Sequence, residues 1–84
     1  MYELKFDEKA VDFLSKLDKP IRKRIYDKIV STKENPFFFF ERLEGRKDFK
    51  LKVGDYRVIA DLYKDSKLIF ISHIGHRKNI YKKI

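Results

Sequence analysis

Phe49-Lys50-Leu51-Lys52-Val53-Gly54-Asp55-Tyr56-Arg57-Val58-Ile59 is the stretch from which the rest of the chain is read. Apolar residues alternate with lysines up to Val53, Gly54-Asp55 supplies a two-residue turn, and β-branched and aromatic residues continue from Tyr56 to Tyr63. That is the signature of a β-hairpin. With Gly54 and Asp55 as the turn, Val53 pairs with Tyr56, Lys52 with Arg57, Leu51 with Val58 and Lys50 with Ile59. Strand side chains alternate between faces, so Phe49, Leu51, Val53, Tyr56, Val58, Ala60 and Leu62 share one face and belong to a core. The opposite face presents Lys50, Lys52 and Arg57. Like charges directly across a ladder destabilise it by some tenths of a kcal/mol, up to about 1 kcal/mol. A cluster of cations that costs stability in this way has the character of an anion site, with Asp61 on the same face as a partial counter-charge for Lys50.

Downstream, Asp65-Ser66 makes a second turn and Lys67 to Ile74 a third strand, which Gly75 ends; a basic tail containing Tyr81 follows. If that turn is tight, Ile59, Tyr63, Leu68, Phe70 and Ile74 also fall on the cationic face. The face is then half apolar, as befits a surface covered by a partner protein in one state and a nucleic acid in another. Upstream, Tyr2, Leu4 and Phe6 alternate as a half-buried strand. Asp7 stands at an N-cap position before Ala10, Val11, Phe13, Leu14 and Leu17, which recur at helical spacing. Asp18-Lys19-Pro20 ends that helix and opens another, with Ile21, Ile25 and Ile29 on one face, which stops before Asn35-Pro36. Four aromatics in a row, Phe37 to Phe40, cannot all face one core; they act as a structural plug, a partner contact or a base-stacking surface. The expected fold is α+β in one domain, residues 1–84: an N-terminal strand, a helical hairpin, and a three-stranded antiparallel meander packed on the helices.

Composition limits the chemistry. The 84 residues carry 21 Lys and Arg against 13 Asp and Glu, a formal charge of +8. Residues 1–43 hold ten basic and eight acidic residues, a net of +2, while residues 44–84 hold eleven and five, a net of +6. A strongly positive C-terminal half points to a polyanionic partner. Without cysteine there is no disulfide, thiol nucleophile or Cys-bound metal. The lack of a long apolar run implies no membrane span, and cytoplasm is the expected compartment. Few thermolabile residues, with no Gln, two Asn and one Met, fit a thermophilic source. No Gly-rich phosphate loop, G-x-S-x-G or carboxylate pair is present. His73 and His76 lack a third ligand, and alternation turns His73 toward the core, so neither a metal nor another cofactor is expected. Any catalysis therefore falls to Lys, Arg, Tyr or His. Metal-free RNA cleavage suits such groups: the 2′-OH loses a proton, the phosphorane-like transition state gains negative charge, and the 5′-oxygen takes up a proton.

Leu43-Glu44-Gly45, the hairpin from Phe49 to Ile59, and Ile74-Gly75-His76-Arg77-Lys78-Asn79-Ile80-Tyr81 together resemble the RelE branch of the RelE/ParE toxin superfamily. The strand and helical hairpin agree in order, so the resemblance covers nearly the whole chain and implies the RelE-like microbial RNase fold. It implies the toxin of a type II toxin–antitoxin pair: a ribosome-dependent mRNA endonuclease that cuts the A-site codon with the message's own 2′-OH and is neutralised by a RelB-like antitoxin. Carried over by position, Lys52 is the general base, and Lys50 and Arg57 stabilise the phosphate. Arg77 is the acid or a leaving-group contact, Tyr81 stacks on a base, and His76 and Lys78 contact substrate. Two alternatives stay open, a ParE-like gyrase inhibitor and a non-catalytic basic RNA-binding module.

Overall fold

A computed structural model describes residues 1–84. The pairing of β3 (Phe49–Val53) with β4 (Tyr56–Tyr63) runs from Phe49 opposite Ala60 to Val53 opposite Tyr56, in the register set by the turn. Gly54 has a φ of 57° and is the one turn residue with positive φ, the pattern of a type II′ rather than a type I′ turn. Around this hairpin the elements are β1 (Glu3–Phe6), α1 (Glu8–Ser15), α2 (Lys19–Ser31), a single-turn α3 (Pro36–Phe39), β2 (Glu41–Arg42) and β5 (Leu68–His76). A 3-10 turn over Ile80–Lys82 closes the chain.

The expected meander is the centre of a larger, mixed sheet of five strands in the order β1-β5-β4-β3-β2. β1 lies parallel to β5, Leu4 opposite Ile69 and Phe6 opposite Ile71. A parallel neighbour needs a long crossover, and the intervening helical hairpin supplies its covering layer. β2 has two residues, too few for alternation to reveal, and pairs with Phe49 and Lys50. Asp7 caps α1 by accepting a 2.9 Å hydrogen bond from the Lys9 N–H, and Pro20 sits in the first turn of α2 where no donor is lost. Ala10, Leu14, Ile25 and Ile29 of the helices pack on Leu51, Val53, Val58, Ala60, Ile69 and Ile71 of the sheet. No helix is long and apolar enough to cross a membrane.

Three expectations change. β4 and β5 slip register between Ile59 and Ala60: Ile59 faces His73, Ala60 faces Ile71, and Ser72 is the extra residue of a bulge. One inserted residue inverts alternation beyond it, so Ile74 pairs with Val58 in the helix-covered core and His73 joins the outward face. The Ser72 hydroxyl donates to the Ile59 carbonyl at 3.2 Å and holds the bulge. Gly75 does not end the strand, which continues through His76. The basic tail is anchored on the sheet. Ile80, fully buried, packs with Ile59 and Leu43 on the outward face, and a Cβ on Gly75 would meet the Ile80 Cδ1 at 2.9 Å.

The aromatic run divides as a single helical turn demands. Phe40 is buried, Phe37 meets Tyr2 and Phe49 edge to face, and Phe38 is 76% exposed, its ring against Phe39.

Candidate functional site

The outward face is laid out in rows. Lys52, Arg57 and Gly75 are register partners across β3, β4 and β5, and the adjacent row is Glu41, Lys50, Ile59 and His73. Lys52 and Arg57 are thus direct neighbours, with Lys50 two residues along the same strand face. None of the three forms an ion pair within 4 Å. The Arg57 Nη1 donates to the carbonyls of Gly54 and Tyr56, both at 2.9 Å, which fixes the guanidinium at the hairpin tip.

The tip also receives the C-terminal loop. The Arg77 N–H donates to the Asp55 carbonyl at 2.8 Å, and the Arg77 guanidinium stands 3.7 Å from the Asp55 carboxylate. Both groups are more than half exposed, so this contact is weak, worth about 0–1 kcal/mol, and open to competition by another anion. Tyr81 is half-exposed on the 3-10 turn, tethered by the burial of Ile80 beside it. Lys78 is exposed, and its N–H donates to the His76 Nδ1 at 3.2 Å. His76 pairs with Tyr56, and its ring meets that tyrosine at 5.6 Å, on the helix side of the sheet rather than among the cations. The structure therefore brings Lys52, Arg57 and Arg77 to one tip, sets Lys50 and Tyr81 nearby on strand and tail, and places His76 on the other face.

Asp61 is not a partner of Lys50. It lies with Arg46 and Asp48 at the far end of the outward face, where burial first, and then the charge of Asp48, hold its carboxyl above the usual range. The Asp48 carboxyl is held below its usual range, chiefly by the hydrogen bond from Arg46, whose Nε and Nη2 both donate at 2.8 Å. Asp48 and Asp61 are thus grouped away from Lys52 and Arg57, while Glu41 stands across from Lys50 in the adjacent row. Arg24 and Lys28 of α2 escape a reading by helical face, yet they line a groove beside the same tip, together with Lys52 and Gly54. The available sequence signal was the i,i+4 pair Lys23–Asp27, which occupies the one nearby acid and leaves Arg24 and Lys28 without one.

A helical hairpin on a mixed sheet, with uncompensated cations gathered at one hairpin tip, matches a class of small toxins. Residues 4–81 match the family "ParE toxin of type II toxin-antitoxin system, parDE", and the chain belongs to that family. Within it, the chain is similar to the mRNA interferase toxin RelE of Escherichia coli strain K12, with 29% identity over 80 residues, covering 92% of this chain and 84% of the relative. Among solved structures it is similar to the isolated E. coli RelE toxin (TM-score 0.80, 26% identity, covering 99% of this chain and 94% of that one). It is also similar to chains of the intact E. coli RelBE toxin–antitoxin complex (TM-score 0.78, 26% identity, 90% and 96%) and of the archaeal RelE–RelB complex from Pyrococcus horikoshii (TM-score 0.78, 26% identity, 90% and 94%). The RelE-like toxin fold and a toxin role in a toxin–antitoxin system follow.

Proposed function

We propose that the chain is a metal-independent endoribonuclease that cuts mRNA in the ribosomal A site and is held inactive by a RelB-like antitoxin in the cytoplasm. The observation that carries the reading is the meeting of Lys52, Arg57 and Arg77 at the Gly54-Asp55 turn, with Asp55 as the one carboxylate in contact. The likeness to chains named mRNA interferase RelE, and to toxins solved with RelB, supports the activity and the partner.

On this reading Lys52 is the base that takes the proton of the 2′-OH, whose oxygen attacks the adjacent phosphorus. Negative charge grows on the non-bridging oxygens, where Arg57, already fixed by two carbonyls, and Lys50 stabilise it without reorganising. The P–O5′ bond breaks, the departing oxygen takes a proton from Arg77 or from a water that Arg77 holds against it, and a 2′,3′-cyclic phosphate remains. Tyr81 stacks on a base of the codon and Lys78 contacts the flanking strand, while His76, on the helix side of the sheet, is left out of the contact. The site is an open surface, so the ribosome supplies the walls that orient the message, which accounts for a requirement for translation.

Primer extension on a translated message tests the proposal. Wild type is expected to give A-site cuts, while Arg77→Ala and the Lys52→Ala, Arg57→Ala double variant keep the fold and lose cutting. Undiminished cleavage by those variants, or no cleavage by an active wild type, overturns it. Because the matching family carries the ParE name, a DNA supercoiling assay runs alongside, and gyrase inhibition without cleavage assigns the chain to that activity instead.

A further inference from the structure

We infer that the groove between α2 and the β3–β4 tip binds a phosphodiester backbone through Arg24 and Lys28, continuing the path of RNA away from Lys52. The inference rests on the endoribonuclease reading and adds a second contact surface to it. The groove, about 520 Å³, is formed by Arg24, Asp27 and Lys28 from α2 and by Lys52, Val53 and Gly54 from the hairpin. Its one acid is already engaged: the Asp27 Oδ2 lies 2.6 Å from the Lys23 Nζ on the helix surface. Arg24, Lys28 and Lys52 have no ion-pair partner, so the groove is cationic.

The arrangement is built into the backbone. Gly54 lacks the Cβ that would stand 2.9 Å from the Arg24 Nη2, so the guanidinium lies against the turn. Arg57 donates to the carbonyl of the same glycine, which places the two arginines on one residue of the turn. Arg24 and Lys28 are one helical turn apart, about 6 Å along the axis, a spacing that lets them serve neighbouring phosphates. Val53 is the single apolar residue of the lining. A protein-binding groove is centred on apolar and aromatic side chains, so the lining favours a polyanionic strand over a partner helix.

The probe is a short single-stranded oligoribonucleotide 2′-O-methylated throughout, which binds but cannot be cut by its own 2′-OH, measured by fluorescence anisotropy on the free full-length toxin. Arg24→Gln, Lys28→Gln is expected to melt as wild type does and to bind about tenfold more weakly. Its log–log salt slope should fall by roughly 1.4, at about 0.7 for each phosphate of a single strand that the protein no longer neutralises. Lys16→Gln, Lys19→Gln removes equal charge from exposed positions elsewhere and should leave slope and affinity near wild type. A parallel arm sediments the toxin with vacant ribosomes free of message. Weaker binding in the oligonucleotide arm assigns the groove to the message strand, weaker binding confined to the ribosome arm assigns it to ribosomal RNA, and either supports phosphodiester binding. Unchanged binding in both arms, equal losses from the two double variants, or loss of antitoxin binding with RNA binding intact overturns the inference. The nuclease reading fails separately, if wild type binds RNA through Arg24 and Lys28 yet cuts nothing on ribosomes.

Discussion

Replacing Gly75 by alanine adds one methyl group where the C-terminal turn rests on the sheet. The new Cβ would meet the Ile80 Cδ1 at 2.9 Å and its Cβ at 3.4 Å, inside normal contact. Ile80 is the fully buried anchor of the segment that carries Arg77 and Tyr81. Burying an isoleucine stabilises by about 1.5–3 kcal/mol, and an added methylene in a filled site costs about 1–3 kcal/mol, so the clash nearly cancels the anchor. For a loss of about 2 kcal/mol, the ratio of undocked to docked tail rises roughly 30-fold. The loss of global stability is capped at the anchoring energy, because the tail can leave without opening the helix-covered core. Hydrogen exchange reads this locally. The amides of Asn79, Lys82 and Lys83, which donate to His76, Asn79 and Ile80, should lose protection while those of β4 and β5 keep theirs. On the proposed mechanism A-site cleavage should fall about tenfold or more, since Arg77 and Tyr81 lose their fixed places at and beside the tip. Ile80→Val removes the atom at 2.9 Å and costs about 0.5–1.5 kcal/mol alone, yet in the Gly75→Ala background it should restore tail protection and most of the cleavage. Unchanged tail exchange in Gly75→Ala, or no rescue by Ile80→Val, refutes the reasoning.

Asp48→Asn should lower stability at neutral pH by less than about 1 kcal/mol, given its exposed Arg46 partner. The depressed Asp48 carboxyl stabilises the fold above its unfolded pKa, and that contribution is lost as pH falls through its folded value, so urea melts of variant and wild type should converge in acid. Asp61→Asn should do the reverse: its raised carboxyl penalises the native state increasingly as pH rises from the unfolded pKa, in full above the folded value, so the variant gains about a few tenths of a kcal/mol at neutral pH and the gain disappears in acid. Gly54→Ala forces a Cβ into a left-handed conformation and against Arg24, and should cost about 1–2 kcal/mol of stability, read as a lower urea midpoint, at little cost to the helical signal. Phe38→Ser should change stability by less than about 0.5 kcal/mol, whereas Phe40→Ala should cost about 3–5 kcal/mol in the same melts, because one ring faces solvent and the other the core.

The hairpin was legible because a two-residue turn leaves one register and the alternation on either side agrees with it: Lys52 faces Arg57 as read. Both helices were legible through Asp7, Pro20 and their apolar spacing. The bulge was not, since Ser72 looks like any outward strand residue, and its effect on Ile74 and His73 arises from pairing with a strand ten or more residues away. β1 could be seen as a strand but not placed, because parallel pairing depends on how the helices pack. Of the site, the residues of the hairpin were visible as a cluster and Arg77 through its motif. Arg24 and Lys28 were hidden, because a helical wheel shows that they are polar but not which loop they will meet.

What joins these groups is the turn backbone. Arg57 is held by the Gly54 carbonyl, the Arg77 amide by the Asp55 carbonyl, and Arg24 by the space that a missing Cβ leaves at Gly54. Three arginines from separate parts of the chain are thus positioned by main-chain groups and not by carboxylates, apart from the long Arg77–Asp55 contact. Carboxylate partners would have stabilised the cations more, but on the proposed reading they would also have occupied the positions a phosphate takes. Of the acids on the outward face, Glu41 stands across from Lys50, and Asp48 and Asp61 are grouped at the far end, where Arg46 answers them. The mutual repulsion left at the tip is small beside the stability that a helix-covered core provides, so an 84-residue chain can keep it. On the proposed reading, a polyanion relieves that repulsion, and part of the binding energy for RNA is then already present in the free protein as charge that nothing else neutralises.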